Sequence, residues 1–180
     1  MNIAVYGGSF DCPHFGHLSA CLYALTSEPV DRLLVVPTYQ HAWGKQLTAF
    51  EHRLEMTKRT MAYLNNERVE VSDMERVHGG MSLTINTVRG IAETYPGATL
   101  SWIIGADLMK DIEKWDDIDI IRKLARFLIV GRGGYDGGDG IVMPPVSSSE
   151  VRRRVKAGEP YKHLVAHSVY EYIEENGLYR

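Results

Sequence analysis

Six short runs of aliphatic and β-branched residues recur along the chain: Ile3–Tyr6, Leu33–Val36, Val69–Val71, Leu100–Ile104, Phe127–Val130 and Ile141–Met143. Each run is continuous rather than alternating, as suits strands buried on both faces of a parallel sheet. Between them lie segments with helical spacing. His17–Leu25 follows a glycine turn and stops before Pro29. Thr48-Ala49-Phe50-Glu51 reads as a capping box opening a helix to about Tyr63. Leu83, Val88, Ile91 and Ala92 mark another helix, ending near Tyr95-Pro96-Gly97, and Asp116–Leu124 a shorter one. Ser147-Ser148-Ser149-Glu150 reads as a second capping box, opening a helix to about Ala157-Gly158. A last helix runs from about Ala166 to Glu175 and closes at Asn176-Gly177. This alternation predicts an α/β fold, a Rossmann-like doubly wound parallel sheet.

Length and composition narrow the function classes. The 180 residues suit a single domain over 1–180, large enough to bury a core without disulfides. With 20 Lys+Arg against 23 Asp+Glu, the formal charge is −3. That balance argues against nucleic acid as a partner, since broad coating needs a basic excess. It leaves room for a small nucleotide held by local cations. No apolar run approaches the roughly 18 residues of a membrane helix. Met1–Gly8 carries no secretory pattern, and Cys12 and Cys21 read as reduced thiols, so the expected compartment is the cytoplasm. A homo-oligomer is compatible with all of this. Gly131–Gly140 holds six glycines in ten residues and reads as a mobile loop, either a connector or a substrate-facing lid.

The segment Gly7-Gly8-Ser9-Phe10-Asp11-Cys12-Pro13-His14-Phe15-Gly16-His17 follows the first strand and precedes the first helix. In an open α/β sheet, ligands bind at the carboxyl ends of strands. Gly7 and Gly8 allow the backbone to approach a phosphate, and Gly16 lets a helix start with its amides toward the same anion. His14 and His17, three apart, fall on one helical face and add imidazole donors for phosphate oxygens. The competing reading is zinc, with Cys12, His14, His17 and Cys21 as ligands. Zinc frameworks normally use separated ligand pairs, whereas these four crowd into ten residues. The Walker pattern and G-x-G-x-x-G are both missing after strand one, which disfavours P-loop NTPases and ordinary dinucleotide dehydrogenases.

Gly8–His17 resembles the G-[ST]-F-D-P-x-H-x-G-H motif of the nucleotidyltransferase superfamily, and Val146-Ser147-Ser148-Ser149-Glu150-Val151-Arg152 resembles its I-S-S-[ST]-x-[IV]-R signature. Within the superfamily the chain is similar to the bacterial nicotinate-nucleotide adenylyltransferases. Ser82–Thr87 is similar to their S-Y-T-x-x-T. Trp102–Asp107 with Trp115 is similar to their I-I-G-x-D…W, and Phe127–Tyr135 to their strand ending in R-P-G-Y. Tyr172-Ile173 with Gly177-Leu178-Tyr179 is similar to their Y-I…L-Y ending. Cys12 stands where proline is usual, Leu83 where tyrosine is, and Gly133 where proline is. Gln40–Lys45 departs from their proline-rich segment ending in His-Lys.

The resemblance implies the nucleotidyltransferase fold and adenylyl transfer from ATP, accompanied by Mg2+, to a pyridine mononucleotide. ATP is then expected on Gly7, Gly8, Ser9, Phe10, His14, His17, Gly105, Asp107, Ser148, Ser149 and Arg152. His14, His17, Lys45 and Arg152 carry the chemistry. Trp43, Lys45, Thr84, Trp115 and Arg132 face the mononucleotide. No residue is assigned as a metal ligand. The physical reading agrees: an anionic phosphate needs no strong base to attack, so positioning and donors should dominate. Arg152 falls on the helix face of Ser148 and Ser149, and its fork suits phosphate. Several residues also have plain structural readings: Lys45 on the surface, Trp115 in the core, Asp107 as an N-cap and Arg152 in solvent. The same chemistry on nicotinamide mononucleotide or another phosphorylated acceptor is an alternative, as is a nucleotide-binding sensor without turnover.

Overall fold

The computed structural model describes residues 1–132 and 142–180, with only the backbone of Arg132. Its strands are β1 (Asn2–Gly8), β2 (Arg32–Pro37), β3 (Val69–Val71), β4 (Thr99–Gly105), β5 (Ala125–Arg132) and β6 (Val142–Met143). They form one sheet in the order β3-β2-β1-β4-β5-β6, with every neighbouring pair parallel. The chain thus winds one way from β1 and the other way from β4, which puts the switch point between those two strands.

The continuous apolar runs follow from burial on both faces. Ala4, Leu33, Val35, Ile103 and Leu128 point into one apolar cluster with α1 (Phe15–Ser27). Their sequence neighbours Ile3, Val5, Leu34, Trp102 and Ile104 point into another, with α4 (Thr84–Thr94) and α5 (Ile118–Leu124). Fully burying an aliphatic side chain of this kind stabilises the fold by about 1.5–3 kcal/mol. A third cluster joins α2 (Phe50–Met61), α6 (Ser148–Ala157) and α7 (His167–Glu175) through Met56, Val151, Val169 and Ile173. Among the described residues no helix is long and apolar enough to cross a membrane.

Several expected boundaries move. Helix α1 begins at Phe15, two residues before His17, because His14 caps it. The expected capping box at Thr48 does not form. Ala49 is the N-cap of α2 without any side-chain cap, and the Thr48 amide donates to Asp11 Oδ2 instead. The box at Ser147 forms by half. Ser147 Oγ accepts from the Glu150 amide at 3.1 Å, but the Glu150 carboxylate pairs with Arg153 and Arg154. The segment before α5 is a 3-10 helix over Ala106–Lys114, and a short α3 (Met74–His78) lies where no helix was expected. Ile141 and the Gly133–Gly140 part of the glycine-rich loop lie outside the described residues.

Candidate active site

A cavity of about 470 Å³ opens at the carboxyl ends of β1 and β4. Gly7, Gly8, Trp102 and Gly105 contribute to it from the sheet. His14 and His17 with Ser147, Ser148 and Ser149 line one part, and His41, Trp43, Lys45, Thr84, Asp107 and Trp115 line others. Nearly all the residues expected from sequence therefore meet in one space. Arg152 does not line it, and the Arg132 side chain lies outside the described residues.

The turn after β1 is built around two imidazoles. His14 is extended, with φ −148° and ψ 174°, and its Nδ1 accepts from the Gly16 amide at 3.1 Å. His17 Nδ1 accepts from the His14 amide, also at 3.1 Å. The two rings are 3.8 Å apart between centroids and tilted by 33°. A ring nitrogen that accepts an amide proton carries none itself. Each neutral ring thus bears its N–H on Nε2, as a donor. Gly16 admits this arrangement, since a Cβ there would stand 2.9 Å from His14 Cε1. Phe10 has φ +45°, in the left-handed region, and is almost wholly buried. Its ring meets Tyr6 edge-on at 5.5 Å and His17 at 4.9 Å, so it backs His17 by packing.

Gly7 has a packing partner that the sequence did not announce. A Cβ at Gly7 would stand 2.6 Å from Trp102 Cζ2. Its bare backbone makes room for the indole, and Gly7 also lines the cavity.

The two signature segments are tied to each other. Ser148 Oγ donates to the Cys12 carbonyl at 2.8 Å, and the Arg152 guanidinium donates to the Asp11 carbonyl. The Asp11–Cys12 peptide between these acceptors is cis. Arg152 is thus half-buried against the turn and does not line the cavity. It braces the turn, while the N-terminus of α6 faces the cavity through Ser147–Ser149. Burial, then the charge of Asp11, pushes the Cys12 thiol up to about 12. Cys12 packs in the α2–α6–α7 cluster and Cys21 in the cluster beneath α1. The two sulfurs do not converge with the histidines, so the zinc reading fails on placement.

The opposite wall is the loop after β2. An isolated parallel bridge joins His41 to Ser82. Ser82 Oγ accepts from the Tyr39 and Gln40 amides at 2.9 and 3.0 Å. Glu75 accepts from the Tyr39 amide at 3.0 Å and from the Thr87 hydroxyl at 2.8 Å. The loop is therefore fastened to the start of α4, where Thr84 faces the cavity. His41 Nδ1 accepts from the Trp43 amide at 3.2 Å, the same ring arrangement as His14 and His17. Burial, then Lys45 and Arg53, lowers the His41 pKa below its usual value. Trp43 is 65% exposed at the mouth. Trp115 is half-buried and meets Phe127 edge-on at 6.4 Å, so it belongs to both core and cavity. The N-cap of the 3-10 helix is Gly105, not Asp107.

Sequence reasoning passed over His41, Glu75, Ser82 and Trp102 as cavity residues. Ser82 and Trp102 stood inside the matched motifs, which was a usable signal. Glu75 carried none, because α3 itself was not anticipated.

Residues 5–154 match the family described as Cytidylyltransferase-like. The chain belongs to that family. A relative in Anaeromyxobacter dehalogenans, named "probable nicotinate-nucleotide adenylyltransferase", is 37% identical over 180 residues, covering 99% of this chain and 96% of its own. One from Myxococcus xanthus with the same name is 33% identical, covering 99% and 95%. The solved Plasmodium falciparum nicotinic acid mononucleotide adenylyltransferase complexed with NaAD superposes with a TM-score of 0.81 at 25% identity, over 99% of this chain and 97% of that one. The six-stranded parallel sheet is thus the nucleotidyltransferase fold of this cytidylyltransferase-like family.

Proposed function

We propose that residues 1–180 act as one nicotinate-nucleotide adenylyltransferase unit. The phosphate oxygen of nicotinate mononucleotide attacks the α-phosphorus of ATP, the bond to the bridging oxygen breaks, and pyrophosphate leaves. The product is nicotinate adenine dinucleotide, which places the protein in NAD biosynthesis, with the cytoplasm as its compartment.

The observation that carries this reading is the pair of Nε2–H donors beside the N-terminus of α6, in one cavity with a separate loop bearing Trp43 and Lys45. The imidazoles and helix amides suit the phosphates of ATP, which gain charge as pyrophosphate departs. The attacking phosphate is already an anion, so the site needs no proton acceptor as strong as a carboxylate dyad. Lys45 draws that phosphate in, and Trp43 and Trp115 offer aromatic faces to a pyridine ring. The amides opening α4 at Thr84 suit a carboxylate, which distinguishes nicotinate from nicotinamide. Mg2+ fits as an ion carried by the ATP phosphates, with Asp107 and Asp116 on the cavity wall able to accept from its waters. It supplies charge neutralisation there.

Pyrophosphate release with ATP and Mg2+ tests the reading, comparing nicotinate mononucleotide, nicotinamide mononucleotide and 4′-phosphopantetheine. Preference for the nicotinate form is expected. Preference for another acceptor moves the specificity. Release with none of them, from folded protein that binds ATP, removes the enzymatic reading.

A further inference from the structure

Arg53 on α2 is 1% exposed; its guanidinium lies over the Phe50 ring at 5.5 Å, and the hydrogen bonds it donates go to main-chain carbonyls. Nε donates to Thr48 O at 2.8 Å, one terminal nitrogen to Ser9 O at 2.8 Å, and the other to Tyr39 O at 3.4 Å. Ser9 belongs to the turn after β1. Tyr39 and Thr48 bracket the loop that carries His41, Trp43 and Lys45. One planar fork therefore spans both walls of the cavity from behind.

Thr48 is held on every side. Its amide donates to Asp11 Oδ2 at 3.2 Å, and Tyr179 OH donates to Asp11 Oδ1 at 2.7 Å. The Tyr39 end has other anchors in Glu75 and Ser82, and the turn has Ser148 and Arg152. The Thr48 end depends on Arg53, Asp11 and Tyr179.

Burying a guanidinium is costly, and an apolar side chain would fill the space more cheaply. What the cation supplies here is a fixed spacing between two loops. We infer that Arg53 is a positioning residue for adenylyl transfer. Through Thr48, and with Asp11 and Tyr179, it sets the loop over 39–48 against the nucleotide turn, so that a nucleoside monophosphate held on that loop meets the α-phosphorus of ATP. The inference rests on the adenylyl-transfer reading above.

Arg53→Lys keeps the charge but cannot span three carbonyls. Its steady-state rates would be taken with each substrate varied in turn, beside amide hydrogen exchange over 39–48 without ligand. We expect the KM for the mononucleotide to rise about tenfold, with that for ATP changing less than about twofold, because a displaced loop spoils approach rather than nucleotide binding. Exchange should quicken in 39–48 and stay unchanged in β4. Unchanged KM values, or equal rises in both with faster exchange throughout, would overturn the inference. If Arg53→Lys does not fold, Tyr179→Phe serves, with an expected rise of about threefold in the same KM. No rise would overturn it equally. A wild-type protein that turns over no substrate sinks the functional reading, while the exchange data still judge the loop spacing.

Discussion

His17 Nδ1 accepts the backbone amide of His14 at 3.1 Å, and His14 Nδ1 accepts that of Gly16 at the same distance. Each imidazole thereby does two jobs. One nitrogen starts the helix, and the other carries the ring proton on a side chain that lines the cavity.

The two jobs can be separated at His14. An asparagine Oδ1 can replace Nδ1 as the cap acceptor, but nothing reaches as far as Nε2. We expect His14→Asn to keep stability within about 0.5 kcal/mol of wild type and to lower turnover by roughly 10²–10³. His14→Ala should lose the turnover and about 1 kcal/mol of stability as well. Urea unfolding and pyrophosphate release check both. Near-wild-type turnover in His14→Asn would remove the ring donor from the mechanism.

Gly7 and Trp102 are coupled by space. The methyl of Gly7→Ala would stand 2.6 Å from the indole, within a buried sheet that cannot open cheaply. A loss of about 1–3 kcal/mol is expected, as for other overpacked cores. The double variant Gly7→Ala/Trp102→Phe should recover part of it. The midpoint of denaturant unfolding is the measurement, and an unchanged midpoint in Gly7→Ala would contradict the packing described.

His41 gives a pH dependence with a definite sign. Its folded pKa lies below its ordinary value of 6.5, chiefly through burial. The unfolded chain then binds the proton more tightly than the folded one. The stability this group contributes is fully present above pH 6.5 and is lost as pH falls through the folded pKa. Proton NMR of the His41 ring should give a midpoint below 6.5 in the free protein. Adding an anionic mononucleotide should raise it, because a nearby negative charge favours the imidazolium. A midpoint at or above 6.5 without ligand would count against the described surroundings.

The strands were readable because a parallel sheet buried on both faces leaves an uninterrupted apolar signature, as in Leu33–Val36 and Leu100–Ile104. The two signature segments that line the cavity were readable because each is local: a strand–turn–helix and a capped helix start. Partners distant in sequence were not readable. Thr48 looks like an N-cap from its neighbours alone, yet its amide is claimed by Asp11, whose other oxygen Tyr179 holds. Gly7 reads as a phosphate glycine, and nothing in its neighbours announces Trp102 folded against it. Arg53 looks like one more cation on a helix face. The use of each histidine nitrogen depends on backbone orientation at the start of α1, which no spacing rule encodes.

The start of α1 also bears on poisoning by soft metals. A zinc or nickel ion would need a bare lone pair on Nε2 of His14 or His17. Taking it would drive the ring proton onto Nδ1, which would then confront an amide N–H at 3.1 Å. Capture therefore requires the first turn of α1 to come apart. A hard ion riding on phosphate oxygens makes no such demand. The contacts that cap α1 thus oppose the capture of a zinc or nickel ion by either ring.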